Sequence, residues 1–259
     1  MNKLIATVIS TIMFSSSVQA DAIGVYLGGH IWDNEASGVF GESGGQRNFN
    51  LKDEQQGSLF IAVEHPLPFI PNAMISQTDF ATKGTTEFNS DFVFDDYTFE
   101  ANNQLNANFD VSYTDYTLYY EFFDNGLFSF DLGITGRDFD GDVSVSGLAN
   151  VSNDGTTTTT QVTGSLSTDE IVPMLYASTI VGLPFTGVNV FARGNFLSLD
   201  DHTLYDYQAG VSYDVIDNLA VDVSLTLGYR AVKLELEDIN NLYANIEFEG
   251  IFAGAIVHF

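Results

Sequence analysis

The sequence predicts an all-β protein: a closed, antiparallel, up-and-down transmembrane β-barrel of about ten strands, with eight or twelve as the neighbouring solutions. Three observations lead there. The body of the chain alternates apolar and polar residues with period two, the period at which successive side chains of a strand face opposite ways. Its segments are joined alternately by tight turns and by long polar stretches, the asymmetry of barrels in bacterial outer membranes. Aromatic residues gather near the ends of the apolar faces, where an interfacial girdle would stand.

Composition removes the competing classes. The 259 residues carry 8 Lys+Arg against 35 Asp+Glu, a formal charge of −27. A nucleic-acid partner is excluded, because a binder needs a basic face to replace condensed counterions. With no Cys, disulfide scaffolds and cysteine-ligated zinc are excluded too. Hydrophobic residues make up 45% and aromatics 14%, too much for an acidic disordered chain. Acidic and apolar residues must therefore share one domain on different faces.

Residues 1–20 read as a signal peptide. Lys3 is the one charge, Leu4 to Phe14 form a short apolar run, and Val18-Gln19-Ala20 supplies small residues for cleavage. The run is about half the ~20 residues a membrane helix needs. Cleavage after Ala20 leaves one domain, 21–259. Losing Lys3 takes the formal charge from −27 to −28. The expected destination is the outer membrane of a Gram-negative cell.

Eight segments alternate cleanly. In the first, Ile23, Val25, Leu27, Gly29 and Ile31 oppose Gly24, Tyr26, Gly28 and His30. In the second, Leu59, Ile61 and Val63 oppose Ser58, Phe60, Ala62 and Glu64. Tyr116 to Phe122 and Phe128 to Ile134 follow the same rule, with Asp115, Thr117, Tyr119 and Glu121 on the other face of the former and Asp131 on that of the latter. Val188 to Phe196, Tyr205 to Tyr213, Leu219 to Tyr229 and Ile251 to Phe259 complete the set. Two further strands, Ala73 to Phe80 and Glu170 to Val181, are less clean. The second is apolar on both faces, so its outward side stays unassigned. Short turns fall at His65 to Asn72, Asp124-Asn125-Gly126, Gly182 to Gly187 and Asp214 to Asn218, with Pro, Asn and Gly supplying the turn chemistry. Long polar stretches at 33–54, 82–107 and 138–168, and shorter ones at 199–203 and 236–243, read as loops on the opposite rim.

A bilayer requires every backbone group to pair, so the first and last strands must close on each other, with both termini periplasmic. No later segment is long and apolar enough for a membrane helix. At this point the mature chain resembles a family of proteobacterial outer-membrane β-barrel proteins marked by an N-terminal Gly-Gly pair. The residues that carry the resemblance are Gly24-Val25-Tyr26-Leu27-Gly28-Gly29 with Trp32, Thr117-Leu118-Tyr119-Tyr120-Glu121 before Asp124-Asn125, Asp131-Leu132-Gly133 and Val257-His258-Phe259. The resemblance implies an outer-membrane location and assigns no activity. The C-terminal strand is similar to those read by the barrel-assembly machinery, which would make Phe259 an insertion signal.

With the apolar faces toward lipid, the other faces point inward. That set contains Glu64, Asp115, Glu121, Asp131, Asp206 and Asp222 with Arg137, Arg193 and Arg230. Buried charge is tolerated only when paired, so these nine residues are expected to form a lumen ion-pair network. They give either a structural plug or a narrow, cation-favouring path for small solutes, porin-like in kind. The outer stretches hold most other acids, beside lipopolysaccharide, where divalent cations would relieve the repulsion. Asp138, Asp140 and Asp142 set oxygen ligands on alternate residues, a chemistry suited to Ca²⁺, but their spacing is not that of an EF-hand. The acidic loops also allow a surface interaction or adhesion role. No cofactor is implied.

Catalysis has little support. Asp200-Asp201-His202 is similar to the Asp-x-His element of omptin proteases, which are ten-stranded barrels, and Asp200 with His202 would activate water there. No convincing partner motif surrounds Asp95-Asp96, and there is no nucleophile elbow or phosphate loop. The reading is a non-enzymatic barrel.

Overall fold

The computed structural model describes residues 23–153, 156–199, 202–218, 220–239 and 241–259. The expected signal peptide and Asp200 lie outside them. The described residues form thirteen strands: β1 (Gly24–Gly41), β2 (Glu54–Glu64), β3 (Asn72–Thr78), β4 (Ala81–Glu87), β5 (Phe92–Phe94), β6 (Tyr97–Phe99), β7 (Gln104–Asp124), β8 (Phe128–Asn153), β9 (Thr156–Leu183), β10 (Val188–Leu199), β11 (His202–Asp217), β12 (Asp222–Ile239) and β13 (Leu242–His258).

Ten of them close into one antiparallel ring, in the order β1-β2-β3-β7-β8-β9-β10-β11-β12-β13. Closure is made by β1 and β13, in register from Tyr26↔His258 to Gly41↔Tyr243. Val25 and Phe259 exchange backbone hydrogen bonds of 3.2 and 3.0 Å beyond that ladder. Both ends of the ring strands thus meet at one rim, called the terminal rim below. β4 prolongs β3 past a break at Asp79 and Phe80, and both pair with β7. β5 and β6 form a small hairpin that is not a member of the ring; it is held to β8 at Phe99↔Ala149 and turns its phenylalanines into the buried core.

The predicted alternation sets the faces. Ile31, Leu59, Leu118, Ile134, Leu227 and Ile251 are exposed on the outside of the ring. The unassigned segment now has a side: Leu175 and Ile171 point out, while Met174, Tyr176 and Ser178 are buried inside. The Gly-Gly pair serves close approach. A side chain on Gly28 would strike the Phe60 ring inside, and one on Gly29 would strike Leu59 outside.

The expected loops are corrected. Residues 138–153 and 156–168 continue β8 and β9, β1 runs to Gly41, and 82–107 contains β4, β5 and β6. These stretches looked like loops because their alternation changes phase. On β7, inward residues run Leu105, Ala107, Phe109, Val111, and then Asp115 and Thr117 nearer the terminal rim. The outward face runs Asn106, Asn108, Asp110, Ser112, and then the exposed Tyr116, Leu118, Tyr120. On β12, Leu225, Leu227 and Tyr229 are exposed, but beyond Arg230 the buried residues are Val232, Leu234 and Leu236. The ring interior therefore has two tiers. Toward the far rim it is an apolar core, with Phe40, Phe49, Phe80, Phe94, Phe99, Phe109 and Phe248 fully buried. Ring pairs such as Phe80–Phe248 at 4.1 Å and Phe40–Phe49 at 4.6 Å hold it. Below it the interior is polar.

Candidate lumen site

Each inward position below the aromatic tier is fixed by strand parity. β7 supplies Tyr113 and Asp115, β8 Arg137, β11 Asp206 and β12 Arg230, and all five are buried. Arg137 donates twice to Asp115, Nε to Oδ1 and Nη2 to Oδ2, both at 2.8 Å. Its Nη2 also reaches Asp206 Oδ2 at 2.9 Å. Arg230 donates from Nε to Asp206 Oδ1 at 2.9 Å and from Nη2 to Oδ2 at 2.7 Å. The Tyr113 hydroxyl donates to Asp206 Oδ2 at 2.7 Å. Two guanidiniums and two carboxylates thus form a balanced chain tying β7 and β8 to β11 and β12. Bidentate, charge-assisted pairs of this kind are the geometry in which buried charge is best tolerated.

Outer partners orient the chain. Asn195 Nδ2 donates to Asp115 at 3.3 Å while its Oδ1 accepts from Thr135 at 2.8 Å. Arg230 Nη1 lies 3.1 Å from His30 Nε2. An arginine can only donate, so Nε2 is the acceptor and the ring proton sits on Nδ1. Arg137 lies over the Tyr113 ring at 3.7 Å and Arg230 over Trp32 at 5.0 Å. Beside the chain lies a cavity of about 50 Å³, lined by His30, Phe60, Asp115, Tyr176, Arg193, Asp206 and Arg230 among others. That holds about one water, or two at most.

Of the nine predicted network residues, Asp115, Arg137, Asp206 and Arg230 come together. Arg193 lines the cavity but makes no ion pair among the described residues; it donates to Gln208 Oε1 at 3.2 and 3.3 Å and lies 5.1 Å from the Phe60 ring. The expectation that each arginine has carboxylate partners fails there, because the inward neighbour on β11 is Gln208. Glu64 accepts from Tyr119 at 2.8 Å nearer the terminal rim, and Asp131 is buried two residues below Gly133 on β8. Asp222 meets His258 at 3.2 Å on that rim, and Glu121 is exposed beside a bulge at Glu121/Phe123. Tyr113, His30 and Asn195 belong to the site but were not among its candidates. Strand parity could have found all three, since Tyr113 shares the face of Asp115, His30 that of Gly28 and Asn195 that of Arg193.

Asp138, Asp140 and Asp142 are not in a loop. They lie on the outward face of β8, where Asp142 and Asp140 stand across from Asp110 and Asp169. An extended strand spaces alternate carboxylates about 7 Å apart, unlike the curled loop of a calcium site. Among the described residues no group of three or more His, Asp or Glu could hold a metal. His202 opens β11, and its Nδ1 accepts from the Glu237 backbone at 3.3 Å. Phe259 is exposed at the terminal rim.

No protein-family model and no curated protein matches the sequence. Among solved structures, a Pseudomonas aeruginosa FadL homologue aligns at TM-score 0.38 and 8% identity, over 92% of this chain and 90% of that one. Neisserial surface protein A aligns at TM-score 0.29 and 14% identity, over 92% and 100%. The Pseudomonas putida toluene transporter TodX aligns at TM-score 0.30 and 8% identity, over 98% and 93%. These neighbours are outer-membrane β-barrels.

Proposed function

We propose that the protein is an integral outer-membrane barrel whose lumen is shut at rest. Its role is structural unless the lumen contents rearrange. The terminal rim faces the periplasm, and the exposed apolar belt faces lipid. The observation that carries the reading is the Asp115–Arg137–Asp206–Arg230 chain, which crosses the barrel interior beside a cavity of only about 50 Å³. The aromatic tier above it closes the outer half a second time. Phe259 serves as the assembly signal, and the outward acids of β7, β8 and β9 sit beside lipopolysaccharide with divalent cations. A second reading, cation passage, is favoured by the carboxylates Glu64, Asp131, Asp214 and Asp222 on the lumen face toward the terminal rim.

Planar-bilayer recording on the refolded chain tests both. The expected result is no steady conductance. Stable open steps in the unmodified protein would overturn the closed-lumen reading. A reversal potential favouring cations in those steps would establish the second.

A further inference from the structure

The axial route is shut, but the wall beside it is not continuous. The β2–β3 ladder ends at Ser58↔Thr78, and β4 pairs with β7 and with no residue of β2. Between Gln55–Gly57 and Ala81 the wall is bridged by single contacts, Asp79 N to Gly57 O at 3.0 Å and Gln56 Nε2 to Ala81 O at 2.9 Å. The gap is closed above by Lys52, whose N donates to Lys83 O at 2.9 Å and whose O accepts from Thr82 Oγ1 at 2.7 Å, and by the Leu51↔Gly84 bridge. A cleft of about 310 Å³ occupies this seam. Its lining mixes outward residues (Gln55, Asp79, Lys83) with buried inward ones (Gln56, Thr82), so the cleft enters the wall. It lies level with Asp33, the Cα partner of Gln55, just beyond Ile31 on the outward face of β1.

Directly behind the seam are polar groups without partners. Trp32 Nε1, both amide atoms of Asn34 and Gln56 Oε1 are buried and make no hydrogen bond among the described residues. Trp32 is the Cα partner of Gln56, and Asn34 is two residues further on the same face of β1. Buried polar groups in native proteins are satisfied by protein or by ordered water. These are two donors and two acceptors with no charge among them, and they suit a neutral hydrogen-bonding guest; the fifth unpartnered buried atom, Arg137 Nη1, belongs to the ion-pair chain. A cation would meet Arg230, which lies 5.0 Å from the Trp32 ring.

We propose that Trp32, Asn34 and Gln56 form a side chamber of the lumen that takes up water and small neutral hydrogen-bonding solutes through the β2–β4 seam. The chamber sits below the aromatic tier, where Trp32 stacks on Phe80 at 6.1 Å, and above the ion-pair chain. This deepens the closed-lumen reading: entry is lateral, from the outer interface, where the axial path is blocked.

The chain has no Cys, so single cysteines report access cleanly. Asn34→Cys, Gln56→Cys and, as a control in the aromatic tier, Ala107→Cys are refolded in vesicles, with folding confirmed by heat-modifiable mobility. They are then treated with methyl methanethiosulfonate or its trimethylammonium-ethyl analogue. A group reached only by local opening reacts slowly, so position 34 or 56 is expected to react at least about tenfold faster than 107 with the neutral reagent. The cationic reagent is expected to be slower at the same positions. Gly57 has open space where a side chain would start, its nearest neighbour being Asp79 at 3.9 Å. Adding Gly57→Phe should therefore fill the seam and slow labelling by about tenfold. Positions 34 and 56 as inert as 107 would overturn the chamber. Fast labelling unaffected by Gly57→Phe would overturn the route. Equal rates with both reagents would overturn the neutral guest. Fast labelling at 107 would instead sink the closed lumen, which keeps the two failures apart.

Discussion

Asp206→Asn is the substitution that tests the lumen chain most directly. The carboxylate is 5% exposed and accepts four hydrogen bonds, two from Arg230, one from Arg137 and one from Tyr113, at 2.7 to 2.9 Å. Neutralising it affects the two arginines unequally. Arg137 keeps its bidentate partner Asp115. Arg230 is left with His30, Tyr113 and a 3.5 Å contact to Thr78, none of them anionic. Breaking a buried pair by removing one partner costs about 3–5 kcal/mol. Asn retains one acceptor oxygen, so the low end, about 3 kcal/mol, is expected. With urea slopes of about 1–3 kcal/mol/M, the unfolding midpoint should fall by roughly 1–3 M.

The assay is urea titration of the protein in vesicles, read by heat-modifiable mobility and by fluorescence. Trp32 is the only tryptophan, is 1% exposed and lies against Arg230, so its emission reports on the site itself. Asp115→Asn should cost less, because Arg137 then keeps Asp206. Arg230→Met added to Asp206→Asn removes the stranded charge and should recover at least about 1 kcal/mol relative to the sum of the single changes. A shift under about 1 kcal/mol for Asp206→Asn would refute the argument. So would strict additivity in the double variant.

Two further outcomes follow from the faces of the strands. Ile134→Arg puts a charge on the exposed apolar belt between Leu118 and Leu175 and should cost about 2–4 kcal/mol in the same titration; a neutral result would place that belt in water. Phe109→Ala removes a fully buried ring 5.6 Å from Phe40 and should cost about 3–5 kcal/mol. A loss below about 1 kcal/mol would show that the outer tier is not a packed core.

The ring and its parity were legible in the sequence, and on the proposed outer-membrane reading the reason is lipid. Where the outside solvent is hydrocarbon, outward residues such as Leu59, Leu118 and Leu227 must be apolar, and the alternation is clean enough to count strands. The same parity located Asp115, Arg137, Asp206 and Arg230 on one interior. It could not say which carboxylate an arginine meets, because that depends on the shear of strands far apart in sequence. Arg193 is the example: its inward neighbour on β11 is Gln208, two residues from Asp206. The upper wall was hidden for a different reason. On β8 the outward residues change from Leu132 and Ile134 to Asp138, Asp140 and Asp142, while Val143 and Val145 turn inward. Read with lipid-facing rules, such a stretch looks like an acidic loop. The seam could not be read at all, since it is made by a missing ladder between β2 and β4.

The inversion of polarity along single strands explains how the barrel is shut. Each long strand crosses from one outer solvent to another, and its inner face changes in the opposite sense. Within the apolar belt a lipid surround, as proposed above, would satisfy the outside, and the interior can be polar provided its charges balance, as they do for Asp115, Arg137, Asp206 and Arg230. Beyond the belt the outside must be polar. The only place left for Phe40, Phe109, Val143, Leu234 and Phe248 is the interior, where they pack as the core of a water-soluble barrel would. Most of that stopper is therefore the wall's own side chains, joined by Phe92, Phe94 and Phe99 from the β5–β6 hairpin. Opening the axis would mean separating strands that are fully laddered, β8 and β9 alone being paired from Phe128↔Val181 to Asn153↔Thr156. Parting the wall at Gln55–Gly57, where single hydrogen bonds replace a ladder, breaks far less. On the proposed reading, a barrel of this construction would resist axial passage and yield first at the β2–β4 seam.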